Sequence, residues 1–311
     1  MRRGLLRTLL SALAIAAAVP AAFAEAPDAA ARVIRNAPGL DVEVGRGAFS
    51  LGEIRPEGGD AAIPPLVVRL SARWADLEPS AGAYDWSALD TCVKTASGAG
   101  ARIILEIHGG HPAYTGGAEV PSPGDQAAVE AWTAMLRAVA LRYGDRIDAY
   151  QIGQHPDDSG ADPVAAAKDY AFLFKRSAVA VRSGSPEAKV ATGTIAPTST
   201  DFASALYDEE ISAYTDALSV SFDGSDAERA GLSSMRGLLL ARDPSAQLWV
   251  NGVQVLLGLE GYGRILRTFM AAMGGDASLV TFADPPDSEG KPFHLGLLEN
   301  LRGIFTTGYS P

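Results

Sequence analysis

A single cysteine in 311 residues, Cys92, excludes an internal disulfide and a thiolate metal cluster, so the fold must be held by its core. Charge is sparse too: Asp, Glu, Lys and Arg make up 20% of the chain against 47% hydrophobic residues, which supplies a large core and excludes a disordered chain. The 26 Lys and Arg are outnumbered by 37 Asp and Glu and form no cluster, which disfavours nucleic acid or anionic lipid as a partner. No dinucleotide-binding glycine fingerprint occurs, and no cofactor is expected. Beyond Ala24 no run is long and apolar enough to span a bilayer. Cys92 itself lies in an apolar helical pattern and reads as a buried small hydrophobe.

What is present begins with an export signal. Arg2, Arg3 and Arg7 form a cationic head, Leu9 to Ala22 an apolar stretch too short for a membrane span, and Ala22-Phe23-Ala24 a small-x-small cleavage site. Residues 1–24 are therefore expected to be a signal peptide and residues 25–311 one domain, periplasmic or secreted, with no stable membrane insertion after cleavage. Removal of three arginines moves the formal charge from −11 to −14.

The remaining chain alternates strands and helices. A first strand is offered by Asp41-Val-Glu-Val44 or Ala48-Phe-Ser-Leu51; Gly52 to Pro65 is rich in Gly and Pro, so the first helix is irregular or missing. Strands then follow at Leu66 to Leu70, Arg102 to His108, Ile147 to Gly153, Lys189 to Ile195, Ala217 to Phe222, Gln247 to Val253 and Ser278 to Ala283. Between them, helices are expected after Asp85, from Pro123-Gly124, from Asp162-Pro163, over Thr200 to Tyr214, Ser225 to Arg242 and Leu259 to Met273, with a last one over Leu295 to Thr306. Parallel strands need covering helices, so this alternation predicts a single-domain (β/α)8 TIM barrel of class α/β.

Such a barrel gathers its chemistry at the C-terminal ends of the strands. There the sequence places Arg69, Ser71 and Trp74; Glu106, His108 and His111; Gln154, His155, Asp157 and Asp158; Asp223; Asn251 and Gln254; and Asp284. A polar, mildly acidic ring with aromatic neighbours suits an oligo- or polysaccharide partner.

The segment from Val68 to Asp90 carries the string Trp-x-x-Leu-Glu-Pro-x-x-Gly-x-Tyr-Asp-Trp and resembles the second barrel unit of clan A glycoside hydrolases, a superfamily of β-xylosidases, cellulases and related enzymes. The strand ending at His108, the helix Trp132 to Tyr143 and the strand running to Pro156 extend the resemblance over most of the chain. It implies an acid/base glutamate after strand four, where this sequence has His155 preceded by Gln154, and a nucleophile on strand seven, where it has Gly252. Retaining hydrolysis needs two carboxyl groups about 5 to 5.5 Å apart, and glycine attacks nothing.

Three expectations follow. In the first, a sugar cleft lined by Arg69, Trp74, His108, His111, Gln154, His155 and Asn251 binds carbohydrate without hydrolysing it; Arg69 also reads as an ion-pair partner inside the barrel, and Trp74 and Trp86 as packing between helix and barrel. In the second, hydrolysis persists on relocated carboxylates drawn from Glu106, Asp157, Asp158, Asp223 and Asp284; Asp223-Gly224 and Asp284-Pro285 also read as turns, and Glu106 as a partner of Arg69. In the third, His108, His111 and His155, with Asp223, hold a metal. His294 reads as a surface or capping residue.

Overall fold

The structure, a computed structural model, describes residues 37–45, 49–51, 66–116, 118–158, 162–255, 259–284, 292 and 295–304. All lie in the compact unit Ile34–Pro311; the expected signal peptide, the stretch Gly52 to Pro65 and His294 fall outside the described residues.

Eight strands pair in parallel and in chain order: β1 (Ala37–Glu43), β2 (Val67–Arg73), β3 (Arg102–His108), β4 (Ala149–Gln154), β5 (Lys189–Thr194), β6 (Ala217–Val220), β7 (Gln247–Gln254) and β8 (Leu279–Ala283). β8 closes on β1. The observed fold is thus the expected (β/α)8 barrel. Its first strand begins at Ala37, while Phe49 to Leu51, the tail of the other candidate, carries no strand.

The described helices are α1 (Trp74–Leu77), α2 (Ser87–Gly98), α3 (Pro112–Thr115), α4 (Gln126–Tyr143), α5 (Pro163–Gly184), α6 (Thr200–Asp208), α7 (Asp226–Arg242), α8 (Leu259–Gly274) and α9 (Leu295–Ile304). Among the described residues no helix is long and apolar enough to cross a membrane. The short α1 and α3 carry too few turns to show a period. α4 starts at Gln126, later than Pro123-Gly124, because the Asp125 side chain accepts the Ala128 N–H at 3.0 Å and caps the helix there. Its stripe Val129, Trp132, Leu136, Val139, Ala140 and Tyr143 is wholly buried. α6 stops at Asp208, short of the expected Tyr214: Glu210 adopts φ 60, and the chain resumes as a 3-10 turn, Ile211–Ala213.

Strand periodicity divides the interior. On β3, Ile103, Leu105 and Ile107 face the helices, whereas Ile104, Glu106 and His108 face the barrel axis. One inward residue per strand, Ala37, Val67, Ile104, Ala149, Ala191, Ala217, Trp249 and Leu279, plugs the N-terminal end, the alanines leaving room for the indole. Polar side chains sit above this apolar plug.

Candidate functional site

The polar layer is a continuous network centred on Arg69, which is 4% exposed. Its Nη1 donates to Asp41 Oδ1 at 2.9 Å, its Nε to Gln151 Oε1 at 2.7 Å, and its Nη2 to Glu106 Oε1. Ser71 Oγ donates to the other Glu106 oxygen at 2.6 Å. Gln151 passes a hydrogen bond to Thr194 Oγ1 at 2.8 Å, and Asn251 Nδ2 donates to Gln151 Oε1 at 3.1 Å and to Ser219 Oγ at 3.3 Å. Thr281 Oγ1 donates to Asn251 Oδ1 at 3.3 Å. The strand pairings put Asp41 beside Arg69, Ser71 beside Glu106 and Glu106 beside Gln151, so inward residues on neighbouring strands meet.

Arg69, Glu106 and Asn251 are therefore committed below the mouth. Buried charges of this kind persist only when paired and hydrogen-bonded, and here each is. Glu106, wholly buried, is the partner of Arg69, as its turn toward the axis predicted.

The strand-seven position is unusual in its backbone. Gly252 lies at φ 74, beside a register shift between Val250 and Val253, and a Cβ there would meet nothing within 4 Å. Its N–H donates to Asp41 Oδ2 at 2.9 Å and to Thr281 Oγ1 at 3.2 Å. The space is open; the left-handed backbone is what favours glycine.

At the mouth itself Gln154, His155 and Gln254 are exposed, and His108 is half-buried on the inner face of β3. His155 adopts φ 45; its N–H donates to the Thr194 carbonyl at 3.0 Å and its carbonyl accepts the Asp158 N–H at 3.0 Å, so the chain reverses around it. Burial, partly offset by Glu106 and reinforced by Arg73 and Arg69, lowers the His108 pKa from 6.5 and keeps the ring neutral. Asp157 accepts from the Ala196 N–H at 2.8 Å and Ser199 Oγ at 2.6 Å, tying the β4 loop to the β5 loop, and Asp158 is exposed.

Two expected cleft residues are placed elsewhere. Trp74 is fully buried, stacked on Tyr114 at 5.3 Å and edge-on to Trp132 at 5.3 Å. His111 is 3% exposed; its Nδ1 accepts the Ala113 N–H at 3.1 Å, which leaves Nε2 to donate to the Glu78 carbonyl at 2.6 Å. With both ring nitrogens spent, His111 does not join His108 and His155, and among the described residues no cluster of three or more His, Cys, Asp or Glu side chains suited to a metal forms. The residue that organises this corner is Glu78, whose carboxylate accepts from Trp74 Nε1 at 2.7 Å, the Gly82 N–H at 2.6 Å and Tyr114 Oη at 3.0 Å. The conspicuous Trp-x-x-Leu-Glu-Pro string is thus a structural clip after β2.

The relocated carboxylates also part company. Asp223, after β6, accepts the Ser225 N–H at 2.7 Å, which holds its carboxyl below the usual range, and belongs to a separate cavity described below. Asp284, after β8, is 7% exposed. Asp41 and Gln151 were missed: the β1 alternation Gly39, Asp41, Glu43 and the β4 alternation Ala149, Gln151, Gly153 are the signals that could have found them.

The chain matches no protein-family model and no curated protein. Solved structures do match. A family 39 glycoside hydrolase from the gut symbiont Bacteroides cellulosilyticus WH2 superposes with a TM-score of 0.65 at 14% identity, over 89% of this chain and 65% of that one. Endo-glycoceramidase II from Rhodococcus sp. superposes at 0.58 and 16% identity, over 86% and 78%, and a GH10 endoxylanase from a sugarcane soil metagenome at 0.57 and 11%, over 88% and 98%. The shared feature is the closed (β/α)8 barrel, the fold in which these glycoside hydrolases superpose on this chain. This chain spans just under two thirds of the Bacteroides protein. In this barrel the strand-four stretch ends in the exposed His155, and the strand-seven position is occupied by the left-handed Gly252.

Proposed function

We propose that this chain is an exported, glycoside-hydrolase-like barrel that binds oligo- or polysaccharide at its mouth and no longer performs retaining hydrolysis. The observation that carries this reading is Gly252: it has no side chain to attack an anomeric carbon, and φ 74 costs any other residue about 1–3 kcal/mol. His155 supplies an imidazole at the strand-four position, but position 252 supplies no nucleophile. The carboxylates below, Asp41 and Glu106, are held by Arg69 rather than presented to a substrate. Sugar binding is supported by the polar groups left at the mouth, Gln154, His155 and Gln254 with a neutral His108, which offer donors and acceptors to hydroxyls. Export rests on the Met1 to Ala24 pattern.

The test pairs turnover with binding. Aryl glycosides and a panel of plant and bacterial polysaccharides should give no hydrolysis above blank, while calorimetry detects at least one saccharide whose affinity falls in His155→Ala. Hydrolysis that disappears in Asp41→Asn or Asp223→Asn would overturn the loss of catalysis. Absence of any saccharide binding would overturn the recognition role.

A further inference from the structure

Beyond the ends of β6 and β7, on the same face as Gln154 and His155, lies a second cavity of about 410 Å³, within the size range of small-ligand sites. Asp223 and Gly224 form one wall, and the first half of α8, including Glu260 and Gly263, forms the other. Three guanidinium groups line it: Arg229, Arg264 and Arg267.

What sets this cluster apart is that its guanidinium groups make few close side-chain contacts. Arg229 Nε donates to the Gly224 carbonyl at 3.3 Å, and its ion pair is with Asp226, a fully exposed carboxylate 4.0 Å away. Arg264 Nη2 reaches the Asp223 carbonyl at 3.5 Å, while its buried Nε has no hydrogen-bond partner among the described residues. Arg267 makes no hydrogen bond or ion pair among the described residues, and its Nη1 lies over Gly263, 3.0 Å from where a Cβ would stand. The Asp223 carboxyl accepts the Ser225 N–H, and Glu228 Oε2 is turned to the Asp223 N–H. Three guanidinium groups therefore line the cavity with two carboxylates, Asp223 and Glu260, while Glu228 beside it also acts on Arg264, in a chain whose formal charge is −11. Guanidinium presents a planar fork of donors that matches a planar or tetrahedral oxyanion, and an unpartnered donor out of water gains most from such an acceptor.

We infer that this cavity is an anion subsite, and that the saccharide bound at the mouth carries an oxyanion substituent, a carboxylate or a sulfate, received by Arg229, Arg264 and Arg267. The inference rests on the carbohydrate reading proposed above and narrows its substrate class to acidic glycans.

The experiment is calorimetric titration of the purified chain with an oligogalacturonate, a sulfated galactan oligosaccharide and a neutral cello-oligosaccharide. At least one acidic ligand should bind about tenfold or more tightly than the neutral one, the advantage shrinking at high salt. The carboxylate and sulfate arms tell which substituent the site takes. In Arg267→Gln and Arg264→Gln that advantage is lost; in His155→Ala overall affinity falls while the preference for the acidic ligand persists. Neutral binding with no acidic preference, or a preference untouched by both arginine variants, overturns the anion subsite and leaves the carbohydrate reading standing. Absence of binding to all three ligands and to the wider saccharide panel overturns both.

Discussion

The barrel interior and the arginine cavity hold similar side chains in opposite states. Inside, Arg69 meets Asp41, Glu106 and Gln151 in direct hydrogen bonds, and that network continues through Asn251 to Ser219 and Thr281. At the rim, Arg264 and Arg229 reach only backbone carbonyls at 3.3 to 3.5 Å within the cavity, and among the described residues Arg267 reaches none. A buried charge network that satisfies itself stabilises one arrangement of strands and leaves little to offer a ligand. A rim cluster left partly unsatisfied contributes little to folding and has donors free. The contrast separates what the molecule uses to stand from what it has available to bind.

Cutting the interior should have the largest effect. Arg69→Met strands two carboxylates in the barrel and should cost about 3–5 kcal/mol of stability, read as a lower urea midpoint. Next comes Tyr170→Phe. The Tyr170 hydroxyl donates to the Ile152 carbonyl and accepts the Gly193 N–H, both at 2.6 Å, filling a gap between β4 and β5 where Gly153 turns to φ 78. Losing it leaves buried backbone groups unpaired, and about 1–3 kcal/mol should go. At the edge of the interior network stands His108. Its pKa is lowered on folding, so the unfolded chain binds the proton that the folded chain refuses; stability falls as pH drops below about 6.5 and recovers above it. His108→Gln should flatten that part of the urea-midpoint profile against pH. The smallest change in stability, within about 0.5 kcal/mol, is expected for the exposed Arg267→Gln. A large loss there would mean that the rim cluster, too, is structural.

The architecture was legible in the sequence because strand and helix periods differ and because the helix starts carry cap chemistry, as at Asp162-Pro163. Cys92, read as core, is a buried free thiol. The site was read less completely. That Glu106 pairs with Arg69 followed from inward alternation on β3, yet the same rule was not carried to β1, where the weak strand hid Asp41. His111 was expected at the mouth because it follows a strand end, and Trp74 was read both as a cleft residue and as packing between helix and barrel, which is where it lies. Their burial depends on Glu78, a partner that neither residue's own spacing reveals. The arginine cavity escaped notice because Arg229 and Arg264 come from different helices, α7 and α8, brought together only when the barrel closes.

Gly252 has a further consequence, for the history of the chain. Under the proposed reading, an ancestral glutamate at this place needed a backbone that tolerated a side chain, whereas the present strand turns through φ 74 and spends its N–H on Asp41. Reinstating the carboxylate alone would set it on a strained backbone next to an anion already in residence, where like charges repel. Under the proposed reading, loss of the nucleophile is a step that the surrounding strands have since made hard to retrace.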